Sequence, residues 1–161
     1  MPPFILDGFF PVSATKPVTT NGGVTCDYIS VKNAEYVWIA VSLKQTVGHA
    51  TVFAVERATA VAPTGNVAIA TAVPIWYGNV TTSTNALTAQ TAAVSYTMGA
   101  GVTGSVQIIF GIDPATLGGS YDVIGLTASD SSQGTNFVAV TYWIKPRYVQ
   151  ATGNNISYIV D

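Results

Sequence analysis

The chain is 161 residues long, a length for one domain, and its 9% charged against 48% hydrophobic residues exclude intrinsic disorder, which needs the opposite balance. A net charge of -2 excludes the cationic surface that would draw in phosphate backbones or anionic lipid, so no nucleic acid and no membrane is expected as a partner. Charges and turn residues interrupt every apolar run before the roughly 20 residues a membrane-spanning helix requires.

Residues 1–24 hold Pro2, Pro3, Pro11 and Pro17 and end at the breaker Asn21-Gly22-Gly23, which predicts an extended N-terminal arm followed by a turn. The opening stretch is apolar, but it has no basic start and carries Asp7, so it reads as a poor secretory signal. The single cysteine, Cys26, cannot form an internal disulfide and is expected as a buried thiol.

Beyond Cys26 the pattern has period two, and strands are predicted near 26–32, 35–43, 49–57, 74–77, 105–110, 121–129 and 136–145. In the second of these Val37, Ile39, Val41 and Leu43 line one face, while Tyr36, Trp38, Ala40 and Ser42 line the other. The third puts Thr51, Phe53 and Val55 together and is expected to pair with its predecessor as a hairpin. Residues 58–72 read as a loop with a short strand, because Pro63 to Asn66 cuts them and no helical spacing recurs. Pro74 assigns the 74–77 strand to a sheet edge, since proline cannot donate to a ladder. The threonine-rich 79–90 segment reads as a surface loop.

In the second half, Val106, Ile108 and Phe110 turn inward, as do Ile124, Leu126 and Ala128. Val138, Val140, Tyr142 and Ile144 lie opposite Phe137, Ala139, Thr141 and Trp143. The predicted core is Val37, Ile39, Val41, Phe53, Val106, Ile108, Phe110, Leu126 and Val140. Short strands at this spacing indicate an all-β fold, an antiparallel β-sandwich with a jelly roll favoured, spanning 25–148 between the arm and a C-terminal tail at 149–161.

Chemistry is thinly supplied. His49 is the only histidine, no acid lies within five residues of it, and no G-x-S-x-G elbow marks a nucleophile, so no catalytic residue and no enzyme activity is expected. His49 and Cys26 are too few for a zinc site, and Asp130 among Ser129, Ser131 and Ser132 reads as a turn before a calcium loop, so no metal is expected. Gly99 to Gly104 spells G-x-G-x-x-G, yet it leads into a strand and not a helix, which predicts a flexible hairpin turn and no cofactor. Trp38, Trp76, Tyr77, Trp143 and Tyr148 could form a platform for sugar rings or a subunit interface, with most of them expected in the core.

The run Ile29-Ser30-Val31-Lys32-Asn33 through Val37 to Leu43, the segment Gly111-Ile112-Asp113-Pro114-Ala115-Thr116-Leu117, and Pro146-Arg147-Tyr148-Val149-Gln150-Ala151-Thr152 with the ending up to Asp161 together resemble a family of small tailed-bacteriophage virion proteins, the head decoration or cement proteins. The family usually has proline after the tyrosine-containing motif, where this chain has Gly153-Asn154-Asn155. The resemblance implies a non-enzymatic structural protein of the virion, on the capsid surface, that binds the major capsid protein and self-associates as a homotrimer. A phage tail or receptor-binding module that takes carbohydrate is the alternative. Low charge fits a docked life, because contact faces replace a solvating surface. The candidate interface residues are Phe4, Ile5, Leu6, Phe9 and Phe10 in the arm and Tyr148, Tyr158, Ile159 and Val160 in the tail.

Overall fold

In the computed structural model, residues 8–62, 65–80 and 86–148 are described. Their strands are β1 (Phe10–Thr19), β2 (Val24–Thr25), β3 (Ile29–Ser30), β4 (Ala34–Gln45), β5 (Val52–Ala58), β6 (Val67–Ala68), β7 (Val73–Asn79), β8 (Thr88–Ala93), β9 (Ser95–Thr97), β10 (Gly104–Ile112), β11 (Val123–Ala128) and β12 (Phe137–Pro146). The one helical element among the described residues is a 3-10 turn, Pro114–Thr116, capped by the Asp113 carboxylate accepting from Ala115 N–H.

The strands form two antiparallel sheets packed face to face. Sheet A runs β1-β12-β4-β10-β7-β8; sheet B runs β2-β11-β5-β6, with β3 also on β11 and β9 also on β5. The first strand lies beside the last, and the second lane beside the next to last, which is the nested double Greek key of the expected jelly roll. Alternation explains the core. Val37, Ile39, Val41, Ile108, Phe110, Val140 and Tyr142 from sheet A meet Phe53, Val55, Ile124 and Leu126 from sheet B, all at 1% exposure or less. All nine predicted core residues are buried.

The fifth lane is split. Arg57 and Glu56 face Val67 and Ala68, while Ala54, Phe53 and Val52 face Ser95, Tyr96 and Thr97. Between them Val55 accepts from Ile69 N–H at 3.2 Å and donates to the Val94 carbonyl at 3.2 Å. The ladder therefore continues across a break, and residues 70–93 leave it to add the β7–β8 hairpin to sheet A. The second lane holds a bulge instead: Cys26 donates to Leu126 O, but Asp27 donates to Ala14 O of the facing sheet, and its own carbonyl accepts from the buried Tyr142 hydroxyl at 2.9 Å.

Several expectations need correction. Residues 10–19 are extended as expected, but they are the edge strand β1, paired along β12 from Phe10↔Ile144 to Thr19↔Phe137, so the sandwich begins within the expected arm. The β4 and β5 strands lie in different sheets and form no hairpin, because Thr46 to Thr51 crosses the sandwich. Strand β7 is interior. Its Pro74 is tolerated because β10 pairs only from Ile75 onward and β8 shifts register between Val73 and Ile75, opposite the missing donor. The Gly99–Gly104 turn links sheet B to sheet A and so joins no hairpin; Val102 N–H closes on Gly99 O at 3.0 Å. Part of the expected 79–90 loop is β8.

Candidate interaction face

Alternation along a strand of sheet A sends every second residue away from the core, and the register shows which of these stand side by side. Trp143 faces Trp38, which faces Gly111; Thr141 faces Ala40, which faces Ile109, which faces Trp76; Ala139 faces Ser42, which faces Gln107, which faces Gly78. Gly78, Ala40, Ser42, Gly111 and Ala139 thus leave room between side chains on the outer face, and large rings rise around it. The resulting cavity of about 500 Å³ is lined by Phe9, Trp38, Trp76, Leu87, Ile109 and Trp143, with Ala40 and Gln107 at its base.

The rings touch one another. Phe9 packs on Trp38 with centroids 4.8 Å apart, and Tyr36 packs on Trp38 as well, at 4.9 Å. Gly111 makes this closure possible, since a Cβ there would meet the Tyr36 hydroxyl and stand 3.3 Å from the Trp76 ring. Burial, and then the Asp113 carboxylate, hold the Tyr36 hydroxyl above its ordinary range, so it stays a neutral donor. Glu35, Asp113, Lys145 and Arg147 border the face at the Tyr36 end. Lys145 pairs with Glu35 at 2.9 Å, and the Arg147 Nε donates to Ala34 O at 3.0 Å. Among the described residues no charged group lines the cavity between the rings, so what it can do chemically is exclude water from an apolar or aromatic partner.

Trp38, Trp76 and Trp143 were expected largely in the core and instead share this outer face, half-buried. Tyr77 leaves them and stacks on Tyr96 at 5.6 Å, against the core. Of the candidate interface residues, Phe9 joins the face, Phe10 sits half-buried in the edge strand, and Tyr148 is 70% exposed past the end of β12. Phe4, Ile5, Leu6, Tyr158, Ile159 and Val160 lie outside the described residues. Ile109 and Leu87 escaped sequence reading; for Ile109 the available signal was a large apolar residue on the solvent side of an alternating strand, whereas Leu87 stands just before β8, outside any alternation.

The other candidate positions resolve locally. Asp130 accepts from Ser132 N–H at 2.6 Å and Gly22 N–H at 2.7 Å, contacts that, in that order, lower its carboxyl below the usual range and hold the β1–β2 turn against the loop before β12. His49 sits just before β5, and its carbonyl accepts from Gln45 Nε2 at 3.0 Å. Cys26 is buried.

No model of a protein family matches the chain, and no curated protein matches it. Among solved structures, that of the SPBc2 prophage-derived protein YomS is similar, with a TM-score of 0.45 and 10% identity over 84% of this chain and 91% of that one.

Proposed function

We propose that the protein is a structural component of a phage virion, a capsid decoration protein that binds the major capsid protein through the outer face of sheet A. The observation that carries this reading is the aromatic face itself. Four large rings, Phe9, Trp38, Trp76 and Trp143, stand half-buried around one apolar cavity on the outer side of the sheet, away from the core. Soluble monomers rarely keep such a patch unless it is a contact surface, and aromatic side chains dominate the energetics of protein interfaces. The family resemblance supplies the partner. The low charge of the chain agrees with a surface spent on contacts.

The test is cosedimentation with undecorated capsid shells. The wild-type chain should saturate the shells, and the double variant Trp38→Ala/Trp76→Ala should bind at least about tenfold more weakly while keeping its far-ultraviolet spectrum. Equal binding by both proteins, or a saccharide panel that perturbs the tryptophan fluorescence while shells do not bind, would overturn the reading in favour of a carbohydrate-binding module.

A further inference from the structure

An asparagine followed by glycine is a chemically labile pair, because the glycine nitrogen, with no Cβ beside it, can reach and attack the asparagine side-chain carbonyl. The chain has one such pair, Asn21-Gly22, and both residues are exposed. They form the tip of the turn between β1 and β2. Gly23 N–H donates to Thr20 O at 3.1 Å, Gly22 stands at a φ of 86°, and Asn21 keeps a negative φ, which together make a type II turn. That turn calls for glycine at its third position, so the labile pair is built into the fold.

The nitrogen that would attack is already held. Gly22 N–H donates to the Asp130 carboxylate at 2.7 Å. The Ser132 N–H at 2.6 Å and the Ser132 hydroxyl at 3.3 Å fix the same carboxylate. Thr20 O accepts from Ser131 N–H at 3.0 Å, and the buried hydroxyls of Thr20 and Ser131 lie 2.6 Å apart, so the loop that carries Asp130 is also fastened to the turn independently of Gly22.

We infer that Asn21 is a self-modification site, converting to aspartate and isoaspartate, and that Asp130 sets its rate by holding the Gly22 N–H. The reaction consumes the hydrogen in that bond. Gly22 N gives up its proton to solvent base and bonds to Asn21 Cγ; the Cγ–Nδ2 bond breaks, and ammonia leaves after taking up a proton from solvent. Water then opens the resulting imide. Opening at the side-chain carbonyl leaves aspartate, and opening at the main-chain carbonyl leaves isoaspartate, whose backbone runs through the former side chain.

An ionised carboxylate at Gly22 N opposes the first step twice over. A charge-assisted hydrogen bond must be surrendered, and negative charge must build beside negative charge. Held below its usual range, the Asp130 carboxyl is also too weak a base to take the proton itself. Either product sets a new carboxylate near Asp130, and isoaspartate lengthens the turn by a backbone atom. Conversion therefore frees the β1–β2 turn from the loop before β12, and it does so whatever the outer face of sheet A binds.

The experiment is incubation of the full chain in mildly alkaline buffer, followed by fragmentation mass spectrometry that distinguishes isoaspartate from aspartate at position 21. Folded wild type should convert at least about tenfold more slowly than the same chain unfolded in urea, and Asp130→Ala should recover most of that factor, the size of effect that a hydrogen bond to a charged group supplies. Ser131→Ala, which removes the hydroxyl contact to Thr20 and leaves Asp130 in place, should stay close to wild type. If Asp130→Ala loses the wild-type far-ultraviolet spectrum, Asp130→Asn takes its place, since it keeps an acceptor and removes only the charge, and it too should convert faster than wild type. Folded wild type converting as fast as the unfolded chain would overturn the proposal, as would a folded Asp130 variant no faster than wild type. A Ser131→Ala rate equal to that of Asp130→Ala would overturn it as well, because loosening of the loop would then suffice.

Discussion

At the scale of single residues, a few buried polar groups fix crossings that hydrophobic packing does not specify. Asn136 is fully buried, and its amide holds the β4–β5 crossing: Oδ1 accepts from Thr46 N–H at 2.8 Å and Val47 N–H at 3.0 Å, and Nδ2 donates to Val47 O at 2.8 Å. Asn136→Ala leaves three backbone groups unpaired and should lower stability by about 2 to 4 kcal/mol in urea unfolding, well above a surface substitution. Nothing in the sequence around Asn136 marks it, because its partners lie some ninety positions away. Cys26 gives a second residue-scale expectation. Burial, followed by the Asp27 carboxylate, pushes its thiol from 9.0 up to about 12. A raised thiol keeps its proton in the folded chain after the unfolded chain has lost it, so its stabilising contribution is complete below pH 9 and disappears as pH climbs toward 12. Urea midpoints of wild type and Cys26→Ala, compared across that window, should converge on or cross each other, with wild type losing up to about 1.4 kcal/mol per pH unit.

At the scale of elements, β1 decides between an arm and a strand. An arm could be removed without harm to the body. Strand β1 covers β12 over its length, buries Ala14 at 1% exposure and accepts the Asp27 N–H that stitches the second lane to sheet A. Deleting residues 1–20 should therefore expose β12 as a long apolar edge and give a protein with a lower thermal midpoint and visible aggregation on size exclusion. Retention of the wild-type midpoint would return these residues to the status of an arm. The periodicity of Phe10 to Thr19 was hard to read because Pro11 and Pro17 look like breaks, yet each sits where an edge strand can forgo a donor. Strand β8 was missed for the opposite reason: Thr and Ala give no apolar alternation when neither face is buried.

At the scale of the whole molecule, stability rests on two sheets meeting over one core. Ile39 from β4 and Ile108 from β10 are both fully buried there. Truncating either to Ala should cost about 2 to 5 kcal/mol. As the residues share the central pair of sheet A, with Ile39 opposite Phe110 and Ile108 opposite Val41, the double variant should depart from additivity, which a double-mutant cycle in urea would measure. Losses below about 1 kcal/mol at both sites would show that this part of the core adjusts to fill the space.

The period-two patterning by itself determined the all-β class, the inward faces of β4, β5, β10, β11 and β12 and the nine core positions, because a strand's alternation is a local property set by its own side chains. Sequence also determined that Tyr36, Trp38, Ala40 and Ser42 share a face. It did not determine which strands are neighbours, and that is where the candidate site arises. Trp38, Trp76 and Trp143 come from β4, β7 and β12, and they converge because the β7–β8 hairpin leaves a split lane of sheet B to extend sheet A. Tertiary structure alone decided this, since strand order depends on backbone pairing across long separations, and the hydrogen bonds of a ladder are the same whatever side chains it carries.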